Sequence, residues 1–89
     1  MKAKTGFILR NVVDEFILMP TGDNIGEFNG TVLLNEVSAF VWEKLQKTVS
    51  RDELLNDILD QFDVDKAAAE SDLDELLAKF KEYNIIEDD

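Results

Sequence analysis

The stretch Thr31-Val32-Leu33-Leu34-Asn35-Glu36-Val37 marks the point at which the chain changes from strand to helix. Residues 31–34 carry no charge and are rich in residues that favour strands. Asn35 can accept hydrogen bonds from backbone N–H groups two or three residues further on, and Glu36 stabilises the positive end of a helix. The stretch therefore predicts a short strand that leads directly into an N-capped helix.

Two apolar runs precede this stretch and predict a β-hairpin. The runs cover residues 7–13 and 16–19, and the acidic pair Asp14-Glu15 between them is expected to form a tight turn. Residues 20–24 carry turn residues that close the outer end of the hairpin, and residues 25–30 are expected to form a loop. The first part of the chain therefore supplies three antiparallel strands.

The remaining residues predict three helices, because their apolar side chains recur at spacings of three and four. The first helix is expected to end near residue 47 and the second near residue 62. The predicted stripes are Val37, Phe40, Val41 and Leu45 with Trp42 at their edge; Leu54, Leu55, Ile58, Leu59 and Phe62; and Leu73, Leu76, Leu77 and Phe80.

Local signals mark the ends of these helices. The sequence Ser50-Arg51-Asp52-Glu53 is a capping box, and Asp65 is expected to cap the third helix. Asn84 suits the left-handed conformation that ends a helix, after which Ile85-Ile86 would pack back onto the core.

The order of three strands followed by three helices predicts an α+β fold that resembles a winged helix-turn-helix, in a single domain over residues 1–89. Helices packed on one face of the sheet would still leave its edges open. An open edge exposes backbone N–H and C=O groups that pair readily with another extended chain. We expect the edge at residues 31–34 to bind such a chain.

Composition excludes several kinds of chemistry and partner. The chain has no cysteine and no histidine, which removes the thiolate and imidazole groups that most nucleophilic, zinc and haem sites require. Catalysis would have to rest on carboxylates, Lys, Ser, Thr or Tyr83, and we expect no metal, no cofactor and no catalytic activity. The net charge of the chain is −11. Residues 1–49 have five basic and six acidic residues, whereas residues 50–89 have four basic and fourteen acidic residues. Such a negative protein repels phosphate backbones, so nucleic acid is disfavoured as a partner. No apolar run is long enough for a membrane, and we expect a cytoplasmic protein.

Clusters of acidic residues in the second half invite other interpretations. One cluster consists of Asp57, Asp60, Asp63 and Asp65. A calcium-binding loop would also need a glycine and a further oxygen ligand at defined positions, but Ala67 and Ala68 occupy that region. An acid and base pair among Glu70, Asp72, Asp74 and Glu75 would need an enclosure that one amphipathic helix does not offer. Solvated helix faces and caps explain both clusters.

The chain resembles the PqqD family over nearly its whole length, more loosely in the first half, at Pro20-Thr21-Gly22 and Phe28-Asn29-Gly30. Three later groups of residues carry the resemblance most clearly. They are Asn35-Glu36-Val37-Ser38-Ala39-Phe40-Val41-Trp42-Glu43; Leu54-Leu55-Asn56-Asp57-Ile58-Leu59 with Phe62-Asp63-Val64; and Asp72-Leu73 with Leu76-Leu77 and Ile85-Ile86. Members of that family often have glycine before the last apolar pair, where this chain has Asn84.

The resemblance implies a non-catalytic peptide chaperone. Such proteins bind the leader of a ribosomally made precursor peptide and deliver it to a modifying enzyme, often a radical S-adenosylmethionine (SAM) enzyme. The leader adds as a strand beside the third strand and contacts the third helix. By position, the resemblance places the binding residues at Thr31, Val32, Leu33, Leu34, Asn35, Asp72, Leu73, Leu76, Lys79, Phe80 and Tyr83.

Two other functions stay open from the sequence. The chain could be a winged helix-turn-helix DNA-binding regulator, although the third helix has more acidic than basic residues. It could also be an accessory subunit that docks on an enzyme. We expect a monomer or a weak homodimer through the exposed strand edge. The acidic second half favours a bound peptide that carries Lys or Arg.

Overall fold

The computed structural model describes residues 1–22 and 31–87. It contains five strands and three helices in these residues. In chain order they are β1 (Lys2–Ala3), β2 (Phe7–Val12), β3 (Glu15–Pro20), β4 (Val32–Leu34), α1 (Glu36–Lys44), α2 (Arg51–Gln61), α3 (Lys66–Glu82) and β5 (Ile86–Glu87). The predicted α+β class, with a three-stranded antiparallel sheet and three helices, is confirmed. The loop predicted over residues 25–30 lies outside the described residues.

The three-stranded sheet has the order β2-β3-β4, and both of its strand pairs are antiparallel. The hairpin turn lies at Val13 and Asp14, one residue earlier than predicted, because Val12 pairs with Glu15. Val13 has φ 59°, a left-handed conformation that β-branched residues rarely adopt. The turn therefore carries backbone strain at an exposed side chain.

Strands β1 and β5 form a second, two-stranded sheet that the sequence did not predict. Lys2 pairs with Glu87 and Ala3 with Ile86, and the N–H of Ala3 also donates to the carbonyl of Leu45 at 2.7 Å. Two-residue strands carry too little apolar periodicity to be recognised from sequence. Asn84 has φ 59°, as predicted, and this turns the chain so that Ile85 and Ile86 are buried.

The helix caps agree with the sequence patterns in two of three places. The side chain of Asn35 accepts a hydrogen bond from the N–H of Ser38 at 2.8 Å, and the capping box of Ser50 and Glu53 is formed. Asp65 occupies the cap position of α3 without a capping hydrogen bond from its side chain. Helix α1 ends at Lys44, earlier than predicted.

The core lies between the inner face of the three-stranded sheet and the helices. Trp42 is buried rather than at the edge of the stripe, with its ring edge-on to the rings of Phe7 and Phe80. Full burial of a large apolar side chain contributes about 1.5–3 kcal/mol, so α3 is firmly held to the core. Its buried side chains are Ala69, Leu73, Leu77 and Phe80.

Candidate peptide-binding site

Strand β4 is an edge of the three-stranded sheet. It pairs with β3 through Leu34 to Phe16, Leu33 to Ile17 and Val32 to Leu18. Within residues 1–22 and 31–87, no strand lies on its other side. The backbone groups on that side are therefore placed to pair with an added strand.

The side chains of β4 alternate between the two faces of the sheet. Leu34 is buried and Val32 is half-buried on the core side, whereas Leu33 is 68% exposed on the other side. A strand added beside β4 would have the same alternation. Its side chains on the core side would point toward helix α3.

A groove runs between β4, the start of α1 and α3, and we call it the β4–α3 groove. It consists of two adjoining cavities of about 190 Å³ and 280 Å³ that share Asn35, Ser38, Leu76 and Lys79. The smaller cavity adjoins the strand and the end of α3, and its other lining residues are Val32, Leu33, Leu34, Phe80 and Tyr83. The larger is also lined by Val37, Asp72, Leu73 and Glu75.

The structure brings together ten of the eleven residues that the sequence placed at the site. They are Val32, Leu33, Leu34, Asn35, Asp72, Leu73, Leu76, Lys79, Phe80 and Tyr83. Thr31 is exposed immediately before β4 and lies outside the lining of both cavities. The sequence-based site is therefore a contiguous surface.

The ten residues contribute to this surface in different ways. Leu73 and Phe80 are each 1% exposed, so they belong to the core and form only the floor of the groove. Leu76 is half-buried, and Asp72, Lys79 and Tyr83 are exposed. The exposed and half-buried side chains are the ones that a bound chain could contact over a large area.

Three lining residues were missed from the sequence. Val37 and Ser38 lie in the first turn of α1, directly after the cap residue Asn35, and Glu75 lies three residues after Asp72 on α3. Residues three apart share a helix face, so Glu75 could have been found from the placement of Asp72. Val37 and Ser38 could not have been found in this way, because their position at the groove depends on the angle between α1 and α3, and tertiary packing sets that angle.

An ion pair links α3 to α2. The Arg51 guanidinium donates two hydrogen bonds to the Asp74 carboxylate, at 2.6 and 2.9 Å. The hydrogen bond from Arg51 lowers the pKa of Asp74, and the hydrogen bond to Asp74 raises the pKa of Arg51. Asp74 thus binds α2, while its neighbours on the other side of α3, Asp72 and Glu75, line the groove.

The rim of the groove is polar and its floor is apolar. Two carboxylates, Asp72 and Glu75, and one ammonium group, Lys79, stand above Leu73 and Leu76. The Asn35 side chain is already used in capping α1. No group of three or more potential metal ligands occurs in the described part of the chain. The arrangement is suited to holding a peptide with an apolar and a charged side.

The fold and the groove together define a class: an α+β domain with three helices on a three-stranded sheet and an edge strand beside a groove. The chain belongs to the PqqD family. The family model, described as coenzyme PQQ synthesis protein D (PqqD), matches residues 15–86. No curated protein matches the chain.

Two solved structures have the same fold. One is described as TbiB1 in complex with the TbiA(beta) leader peptide, with a TM-score of 0.76 and 21% identity over 98% of this chain and 95% of that one. The other is lasso peptide synthetase B1 complexed with the leader peptide, with a TM-score of 0.71 and 17% identity over 94% and 93% of the two chains. No helix in the described residues is long and apolar enough to cross a membrane.

Proposed function

We propose that this protein binds the leader segment of a ribosomally made precursor peptide by strand addition to β4. The observation that carries the proposal is the combination of an open strand edge with an adjoining groove. The sheet has a second edge at β2, but the groove gives β4 a second wall, formed by α3. Backbone hydrogen bonds between the leader and β4 would supply affinity, and the groove would give specificity for particular leader side chains.

The comparisons support this ligand. The chain belongs to the PqqD family, and both structural neighbours are described as complexes with leader peptides. They cover nearly the same length as this chain, so the likeness includes the strand and the helix that form the groove.

The proposed binding residues are those that the sequence indicated. Thr31 to Asn35 would pair with the leader through backbone groups, so their side chains matter less than their position. Leu76, Lys79 and Tyr83 would contact leader side chains, with Asp72 on the rim and Leu73 and Phe80 beneath. The carboxylates on the rim favour a leader that carries Lys or Arg.

The protein would then present the bound leader to a modifying enzyme, and we propose a radical SAM enzyme in the cytoplasm. The protein itself would be non-catalytic. Every buried side chain in the described residues is apolar, so the groove has no enclosed acid, base or nucleophile. A DNA-binding role finds less support, since α3 carries Glu70, Asp72, Asp74, Glu75 and Glu82 against three lysines.

Nuclear magnetic resonance (NMR) tests the proposal residue by residue. A synthetic leader from a short reading frame beside this gene is titrated into the ¹⁵N-labelled chain. We expect shifts in the amides of residues 31–35 and of α3, with β2 as an internal control that does not shift. Absence of shifts at both β4 and α3 would contradict the proposal.

A further inference from the structure

A second groove lies beside α1, and we call it the aromatic groove. It has a volume of about 250 Å³ and is lined by Phe16, Phe40 and Phe62, with Glu36 and Glu43 on its rim. We propose that this groove docks an amphipathic helix of a partner protein, whose apolar residues lie between two Lys or Arg residues. The groove has no lining residue in common with the β4–α3 groove.

The floor of the aromatic groove has the composition of a protein interface. Phe16, Phe40 and Phe62 are all half-buried, and each packs against the core while keeping part of its surface in solvent. The rings of Phe40 and Phe62 meet edge-on, with centroids 5.4 Å apart. Aromatic side chains are enriched at interfaces because a rigid ring buries a large area at little entropic cost.

The rim supplies a charge pattern that selects the partner. Glu36 and Glu43 are seven residues apart on α1, so they lie on one helix face with Ala39 and Phe40 between them. Two helical turns separate them by about 10 Å. Both are exposed, and the described residues that line the groove include no basic side chain.

Lys44 places a positive charge near the aromatic groove. Its ammonium group stands 5.2 Å from the centre of the Phe40 ring and covers one face of that ring. The apolar surface that remains for a partner therefore consists mainly of Phe16, Phe62 and the edge of Phe40. Residues 23–30 and 88–89 contain no Lys or Arg, so they bring no further positive charge.

These features match one face of a partner helix. Lys or Arg residues seven positions apart would span the distance between Glu36 and Glu43. Apolar residues three and four positions after the first would then point at the phenylalanines. Since α1 separates the two grooves, both can be occupied at once, and docking here does not depend on what β4 binds.

A helical model peptide tests this proposal without knowledge of the partner. The probe is an acetylated, amidated alanine-rich peptide with lysines seven residues apart and two leucines between them. A matched peptide has glutamates in place of the lysines. With the ¹⁵N-labelled full chain, we expect the lysine peptide to shift the amides of Phe40, Glu43 and Phe62, and the glutamate peptide to bind more weakly.

Charge-matched variants separate specific docking from attraction to an acidic protein. The double variant E36Q/E43Q should weaken binding of the lysine peptide roughly fivefold, the effect of two surface ion pairs. The control D52N/E87Q changes two exposed carboxylates elsewhere and should retain the original affinity. Equal losses of affinity in both double variants would overturn the proposal, as would amide shifts confined to residues 31–35. A leader peptide that fails to bind at β4 would leave this proposal unaffected.

Discussion

The ring of Trp42 packs edge-on against the ring of Phe80, with centroids 5.7 Å apart and planes at 80°. Phe80 also forms part of the floor of the β4–α3 groove. The single tryptophan of the chain is therefore one side chain away from the proposed ligand.

This contact predicts an optical signal for binding. A leader that fills the groove will change the packing of Phe80 and with it the environment of Trp42, so tryptophan emission should change in intensity or wavelength. A fluorescence titration with a tryptophan-free leader measures it. The variant Trp42→Phe should bind the leader, as judged by calorimetry, without an emission change. If calorimetry shows saturable binding of the leader to the unmodified protein while tryptophan emission stays constant, the coupling between the groove and Trp42 is contradicted.

Tyr83 is expected to contribute directly to leader affinity. It is 42% exposed and lines the cavity beside β4, so its ring offers apolar area at the end of the groove. Tyr83→Ala should weaken leader binding by roughly tenfold, or about 1.4 kcal/mol, without loss of the fold. Calorimetry measures the affinity, and circular dichroism checks the fold.

Substitutions of two lysines on α3, one in the groove and one outside it, test whether the loss of affinity depends on the groove. Lys79→Ala should also reduce affinity, because the alkyl part of Lys79 contributes apolar contact area in both cavities, and this loss should outweigh the removal of a charge that repels a basic leader. Lys66→Ala, at the start of α3 and outside the lining of the groove, should not. If all three variants bind alike, α3 does not form the second wall.

The ion pair between Arg51 and Asp74 predicts a pH-dependent stability. The pKa of Asp74 is lowered from 3.8, so the pair stabilises the fold above that pH and loses its effect as the pH falls through the lowered pKa. Asp74→Asn should therefore lower Tm at neutral pH, and the difference from the unmodified protein should shrink in acid. Thermal melts between about pH 7 and pH 2 measure the trend. A difference in Tm that stays constant from neutral pH into acid would argue against the ion pair.

The strained turn at Val13 predicts a stabilising substitution. Val13 has φ 59° and its side chain is exposed, so glycine relieves the backbone strain and loses little packing. Val13→Gly should raise the free energy of unfolding by about 0.5–1 kcal/mol, the strain relieved less the entropy that glycine adds to the unfolded chain. Urea denaturation measures it. The control Val12→Gly, within β2, should be destabilising, and a loss of stability in both variants would show that Val13 is not strained.

Local patterns in the sequence predicted a strand at residues 31–34, of which 32–34 form β4, and they were enough to predict the caps at Asn35 and Ser50 and the turn at Asn84. In each case the deciding contacts lie within a few residues of each other. The pairing of β1 with β5 joins the two ends of the described chain, and no local pattern encodes it. The burial of Trp42 likewise depends on Phe7 and Phe80, which are distant in sequence.

The two halves of the candidate site also differ in how far local sequence patterns predict them. Its strand half follows from the position of residues 31–34 directly before the helix cap at Asn35. Its helix half required the family resemblance, because the spacing of Leu73, Leu76 and Phe80 does not distinguish a core side chain from one in a groove. Tertiary packing decides that Leu73 and Phe80 lie beneath the groove while Leu76 is half-buried.

The most direct test of strand addition is a scan in which single backbone amides of the leader peptide are N-methylated. Alternate residues of a strand direct their N–H groups to opposite edges, so only every second residue can pair with β4. We predict losses of affinity of about tenfold at alternate positions, from the lost hydrogen bond and the added methyl group, with near-normal affinity between them. A profile without this two-residue period over the bound segment would contradict strand addition to β4.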